Sequence, residues 1–246
     1  WSSSKSTNLN SWLVQFQSGT EGDAGTHATY NVRPIRAFGN WTMGCMDSLA
    51  CNYNPEANMA DGSCEYAEQG YDCDGNITAQ IGDIMEGGYL FYLDESGERG
   101  LVAAIEDLVA TYEWGCYGTS LSGADGIAIG TGLQNTLDIV AGCSDSLIAA
   151  SVALAYESEE GYNDWYLPSL DELIEMYNTI GNGGPEGDIG GLGGLGQYGS
   201  YWYWSSSEYG INQAWDVNLS FGNWNSGNSG GGWKDGGANI RVIRSF

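Results

Sequence analysis

The feature that most constrains this chain is that it repeats part of itself. Trp1-Ser2-Ser3-Ser4 returns as Trp204-Ser205-Ser206-Ser207, and at the same offset Trp12, Val14 and Gly19 match Trp215, Val217 and Gly222. Asn31-Val32-Arg33-Pro34-Ile35-Arg36-Ala37-Phe38 then aligns with Asn239-Ile240-Arg241-Val242-Ile243-Arg244-Ser245-Phe246, the second copy having gained five residues in its loop. Both copies read as strands. Trp12, Val14 and Phe16 alternate with Leu13, Gln15 and Gln17, and Trp215, Val217, Leu219 and Phe221 alternate with Asp216, Asn218 and Ser220. Residues 1–38 are therefore expected to be the last strands of a preceding domain, in a tandem array with a period of roughly 205 residues. Alone they would leave strand edges and an apolar face uncovered. The bland alternative is a duplicated hairpin that serves this domain itself. A start at Trp1, with neither an initiator Met nor a signal peptide, fits a piece of a longer precursor.

Composition narrows the function. The 246 residues carry a net charge of −25, with one His (His27) and two Lys (Lys5, Lys234), and Arg99 is the only basic residue between Asn40 and Trp233. Such a chain is repelled by phosphate backbones and anionic membranes, so nucleic-acid partners are excluded. No apolar run reaches the length of a membrane span. No nucleophile–base pair can be named, which argues against an enzyme. Hydrophobic residues at 42% support a folded core, and 39 Gly point to many tight turns.

Six cysteines are present, four of them clustered as Cys45, Cys51, Cys64 and Cys73, with Cys116 and Cys143 further on. Without nearby His, and among Asp, Asn and Gly, the cluster reads as disulfides rather than zinc ligands, and hence as extracellular. Four cysteines allow three pairings, and all three stay open. Residues 39–80 have no hydrophobic period and too few apolar residues for a core, so cross-links or ions must hold them. Seven acids and no bases lie between Asp47 and Asp74. That density suits Ca²⁺, with Asp47, Asn52, Asn54 and Asp61 as candidate ligands; the spacing is not that of an EF-hand, and a solvated acidic linker without an ion is the other reading. The run from Gly44-Cys45 through Ala50-Cys51-Asn52-Tyr53-Asn54-Pro55 to Asp61-Gly62-Ser63-Cys64 resembles Cys-rich repeats between modules of secreted bacterial surface proteins. Ala60 stands where that repeat often has a second Asp.

Residues 81–246 read as one domain. Tyr89–Leu93 and Leu101–Ala104 form a hairpin, residues 133–140 and 147–156 two short helices, and Ser169 with Glu172 a capping box that starts a third. A Gly-rich loop (181–199) precedes the final aromatic strands. Asp164-Trp165-Tyr166-Leu167-Pro168-Ser169-x-x-Glu172-Leu173, Tyr203-Trp204-Ser205-Ser206-Ser207 and Arg241-x-Ile243-Arg244 resemble a bacterial family of C-type-lectin-like domains that includes the C-terminal domains of collagen-like adhesins. The resemblance implies an α+β fold with a twisted antiparallel sheet and flanking helices, and an extracellular binding or adhesive role. The same fold includes variable proteins of diversity-generating retroelements, whose ligand surface lies near the C-terminus. Here that surface would be residues 208–239, with Tyr209, Asn223, Trp224, Asn225 and Trp233 facing a glycan or protein. Alternatively, Trp224 and Trp233 pack as lids on the core. A formylglycine-generating type of enzyme shares the broad fold and would need catalytic cysteines; Cys116 and Cys143 are expected to form a disulfide instead. Trp165 and Leu167 are expected to be structural, and Arg241 and Arg244 to pair with Asp164, Asp171 or Glu172.

The leading expectation is a non-enzymatic structural or adhesive module of a tandem-repeat surface protein or filament, whose partners are neighbouring copies of itself. A ligand-binding module is the second reading.

Overall fold

A computed structural model describes residues 2–36, 38–192, 201–220, 223–225 and 232–246, of which 223–225 are described for the backbone alone. Trp1, Ala37, Phe221 and Gly222 of the repeat, and the end of the Gly-rich loop, lie outside them. The chain divides into two compact units, Trp1–Glu65 and Tyr66–Phe246.

In the first unit β1 (Asn10–Gln15) pairs antiparallel with β2 (Thr20–Gly25), and β3 (Met43–Gly44) pairs parallel with β4 (Met59–Ala60). Asx turns shape the rest. Asp47 Oδ1 accepts from the Leu49 N–H, Asn54 Oδ1 from Glu56 and Asp61 Oδ1 from Ser63. Cys45 is bonded to Cys64, and Cys51 and Cys73 are disulfide-bonded as well. A segment with so little apolar area needs such cross-links.

The second unit runs β5 (Ile84–Met85), β6 (Gly88–Leu93), β7 (Gly100–Ala104), β8 (Tyr112–Glu113), α1 (Gly132–Gly142), α2 (Ala149–Leu154), α3 (Leu170–Thr179), β9 (Trp202–Gly210), β10 (Gln213–Asn218), β11 (Asn223–Asn225), β12 (Gly237–Ala238) and β13 (Ile243–Ser245). One antiparallel sheet has the order β13-β7-β6-β5, a second β11-β10-β9, and β12 pairs with β8. With three helices among the described residues, sheet-rich layers and disulfides, this is a small disulfide-rich α+β protein.

Local chemistry explains the elements. The β6–β7 hairpin turns at Asp94, whose Oδ1 accepts from the Ser96 and Gly97 N–H groups, with Gly97 at φ 71°. The expected capping box is present: Ser169 Oγ accepts from the Glu172 N–H at 3.3 Å, and Glu172 Oε2 accepts from the Ser169 N–H at 2.6 Å. The second helix is shorter than its apolar pattern implied, because Leu147 takes a left-handed φ of 58° and the helix begins only after Ile148.

Strand β9 sorts the core. Its alternation sends Trp204 into a cluster with Leu90, Val102, Trp114, Trp165 and Ile240, and Tyr203 into another with Phe91, Leu173, Met176 and Ile243. Ala214 and Val217 of β10 divide the same way. Both faces of this hairpin are therefore covered, and Asp216, which alternates with the apolar residues of the strand, is buried.

Candidate functional site

The two copies of the repeat fold into the same hairpin. Gln15↔Thr20, Val14↔Glu21 and Leu13↔Gly22 in the first correspond position by position to Asn218↔Asn223, Val217↔Trp224 and Asp216↔Asn225 in the second. The bridge Lys5↔Ser11 likewise corresponds to Glu208↔Ala214. Register is set by the side-chain pattern, so shared register at four pairs follows from the shared sequence.

Their surroundings differ. In the second copy Ser205, Ser206 and Ser207 are buried and satisfied. The Ser206 N–H donates to Pro168 O, Ser207 Oγ donates to Gly126 O and accepts from the Leu170 N–H, and Ser205 O accepts from Trp114 Nε1. Arg241 donates through Nε to Asp107 (2.6 Å) and through Nη1 to Ala104 O and Gly190 O. Its carboxylate partner is thus Asp107, outside the three candidates proposed from sequence. Arg244 does take Asp164, with Nε–Oδ1 2.6 Å and Nη2–Oδ2 3.1 Å, and adds Glu86 at 2.8 Å. Its guanidinium lies 4.2 Å from the Tyr162 ring centroid, a cation–π contact. The ion pair holds the Asp164 carboxyl below its usual range. Glu172 is spent on the α3 cap and on the Gly130 N–H, and burial raises its carboxyl.

A buried pair completes this side. Lys234 Nζ lies 2.5 Å from Glu208 Oε1 and 2.7 Å from Thr119 O, and 4.6 Å from the Trp114 ring centroid. The Glu208 carboxylate also accepts from Ser120 Oγ and the Leu121 N–H. Neither the Lys234 pairing nor Trp114 was singled out from the sequence. Asp216 Oδ1, by contrast, has no partner among the described residues, and burial pushes the carboxyl up to about 7.

In the first copy nothing comparable covers the chain among the described residues. Ser2, Ser3, Ser4, Arg33 and Arg36 are exposed, and among the described residues neither arginine has an ion pair. Val14 is 47% exposed and Ile35 94%, while their equivalents Val217 and Ile243 are at 0%. A groove of about 790 Å³ runs between the hairpin and the returning chain, lined by Val14, Phe16, Tyr30, Val32 and Arg33.

The aromatic ligand candidates fall into two groups. Tyr209, exposed on β9, stands edge-on to Trp215 with centroids 4.9 Å apart. Trp233 is partly exposed, 6.2 Å from Tyr117, and bridges Gln213, which in turn pairs with Gly210. Tyr117 and the exposed Ile211 were missed from the sequence; the Gly118 N–H, bonded to Ile211 O, brings them to this turn. The side chains of Asn223, Trp224 and Asn225 lie outside the described residues.

Among the calcium candidates, Asp47, Asn54 and Asp61 each cap a backbone turn, and Asn52 accepts from the Glu65 N–H while donating to Ser63 O. Hydrogen bonds from Ser63 hold the Asp61 carboxyl below its usual range. Among the described residues one group with metal-ligand spacing occurs, Cys116, Cys143 and Asp145, and its two sulfurs form a disulfide. No helix among the described residues is long and apolar enough to cross a membrane. No protein-family model and no curated protein matches the chain.

Proposed function

We propose that this chain is a non-enzymatic, extracellular structural or adhesive module, a link in a tandem-repeat surface protein or filament. In this reading residues 81–246, within the second compact unit, form a C-type-lectin-like domain. Support comes from the meeting of the three motifs that carry the resemblance: Ser206 bonds Pro168, Ser207 bonds Leu170, Tyr166 bridges Ile243, and Asp164 holds Arg244. Residues 2–38 are the closing segment of a second domain of this type. The observation that carries the proposal is the pair of hairpins in one register, one covered on both faces and one bare. The disulfides support the extracellular part of this reading, since such bonds persist in oxidising compartments. Calcium, if bound, sits in the turns of residues 47–61.

Limited proteolysis tests this. In native material residues 2–38 should be as protected as residues 204–246. In the isolated chain the same segment should be cut first. Equal cleavage of the segment in both would remove the proposal.

A second reading, a ligand-binding module, draws on the exposed rings of Tyr117, Tyr209 and Trp233 around one strand turn. Rigid aromatic rings with a polar edge suit glycan or protein contacts.

A further inference from the structure

If residues 2–38 close a domain body, their own side chains define that body. Four of their features match the body formed by residues 66–203. Val14 and Ile35 would fill the places of Val217 and Ile243, and Arg33 and Arg36 those of Arg241 and Arg244, which meet Asp107, Asp164 and Glu86. Besides Leu13 at the place of the buried Asp216, two features do not match. Tyr30 stands one residue before Asn31, as Ala238 stands before Asn239, and Ala238 is buried across from Tyr112. Lys5 stands where Glu208 does, on the face shared with Ser11.

Charge decides which body fits. Glu208 and Lys234 enter their site as a neutral pair. The first copy brings Lys5 alone: no Lys or Arg lies between Gly19 and Asn31, and its strand position holds an amine instead of a carboxylate. The hairpin's own acids cannot serve. Asp23 lies opposite Trp12, on the other face, and is held by Ser6 and Asn10; Glu21 lies opposite Val14 on that same face. A buried amine needs a carboxylate, since an unpaired buried charge costs several kcal/mol.

We infer that the docking partner of residues 2–38 is the body of a related repeat, distinct from this chain's own, that carries an acidic side chain where Ser120 stands here and a roomier pocket at Tyr112. This rests on the proposed reading of the segment as a closing segment. It makes the contact heterotypic: copies of this chain do not exchange these segments with one another, because the groups of residues 66–203 that bond Glu208 and Lys234 among the described residues, Ser120 Oγ, the Leu121 N–H and Thr119 O, include no acid for Lys5.

The experiment uses the full chain. Glu208→Lys with Lys234→Thr installs the first copy's charges in the second and should lower the melting temperature, on the order of 10 °C for a lost buried pair. Adding Ser120→Glu should recover at least half of that drop, whereas Ser120→Glu alone, set against Glu208, should be destabilising. Absence of recovery, or a double variant as stable as the parent, overturns the inference. A second arm replaces residues 205–246 by residues 2–38 carrying Tyr30→Ala. Cooperative unfolding only with Ser120→Glu supports both the inference and the reading beneath it. Equal folding of the graft with and without Ser120→Glu overturns the inference and leaves the reading standing. Failure of both grafts, with the charge variants behaving as expected, overturns the reading itself.

Discussion

Leu13 and Asp216 occupy the same place in two matching hairpins, one opposite Gly22 and the other opposite Asn225. The second position is buried; among the described residues its Oδ1 lacks a partner, while the carboxyl takes a hydrogen bond from the Gly232 N–H. The first copy shows that the strand accepts Leu there. Asp216→Leu should therefore stabilise the chain at neutral pH by about 1–3 kcal/mol, the cost of an unsatisfied buried polar group.

The same residue carries a pH dependence. A carboxyl raised from 3.8 to about 7 on folding binds a proton more tightly in the native state. Its favourable contribution is complete below about 3.8 and is lost as pH rises through about 7. The melting-temperature gap between Asp216→Leu and the parent should be widest at pH 8 and close as pH falls toward 4. A gap independent of pH would assign the titration elsewhere.

Arg244 makes a fork with Asp164 that lysine cannot copy. Arg244→Lys should cost on the order of 1–2 kcal/mol in a denaturant titration, since the fork to the half-exposed Asp164 and the bond to Glu86 cannot both be kept by one ammonium. The depressed Asp164 carboxyl contributes stability above about 3.8 that disappears as pH falls through its folded value, so the penalty of Arg244→Lys should shrink in acid.

The Cys116–Cys143 bond spans 27 residues and ties the loop after β8 to the end of α1. Replacing both cysteines by Ser should cost about 3 kcal/mol and, by calorimetry, lower the melting temperature by roughly 10 °C.

The ligand-binding reading has its own check. Tyr117→Ala and Trp233→Ala remove exposed rings, so stability should fall by no more than about 1 kcal/mol. On a glycan array, loss of a parental signal in both variants would support binding through this turn. A large stability loss would give the rings a packing role instead.

What was legible in the sequence was local or self-similar. The α3 capping box spans four residues, the β6–β7 turn is set by Asp94 and Gly97, and the hairpin register follows from matching words at either end of the chain. The Arg244–Asp164 pair was reachable because Arg244 is one of few cations and both residues lie in the motifs that carry the resemblance. Contacts that depend on the whole fold were hidden. Asp107 reaches Arg241 across 134 residues, and Trp114 lies under Lys234 across a similar span. Asp216 misled because alternation implies one wet face, whereas core clusters cover both faces of β9–β10. The shortened α2 reflects the left-handed Leu147, which no apolar period announces.

The central claim is that residues 2–38 are a closing segment awaiting a body. Cryo-electron microscopy of the native material, at side-chain resolution, tests it most directly. The account expects serial domains in which Val14 and Ile35 are buried beneath a body like that of residues 66–203, with Arg33 and Arg36 on its carboxylates. A hairpin left in solvent, or one packed on surfaces unrelated to those that cover Val217 and Ile243, would contradict it.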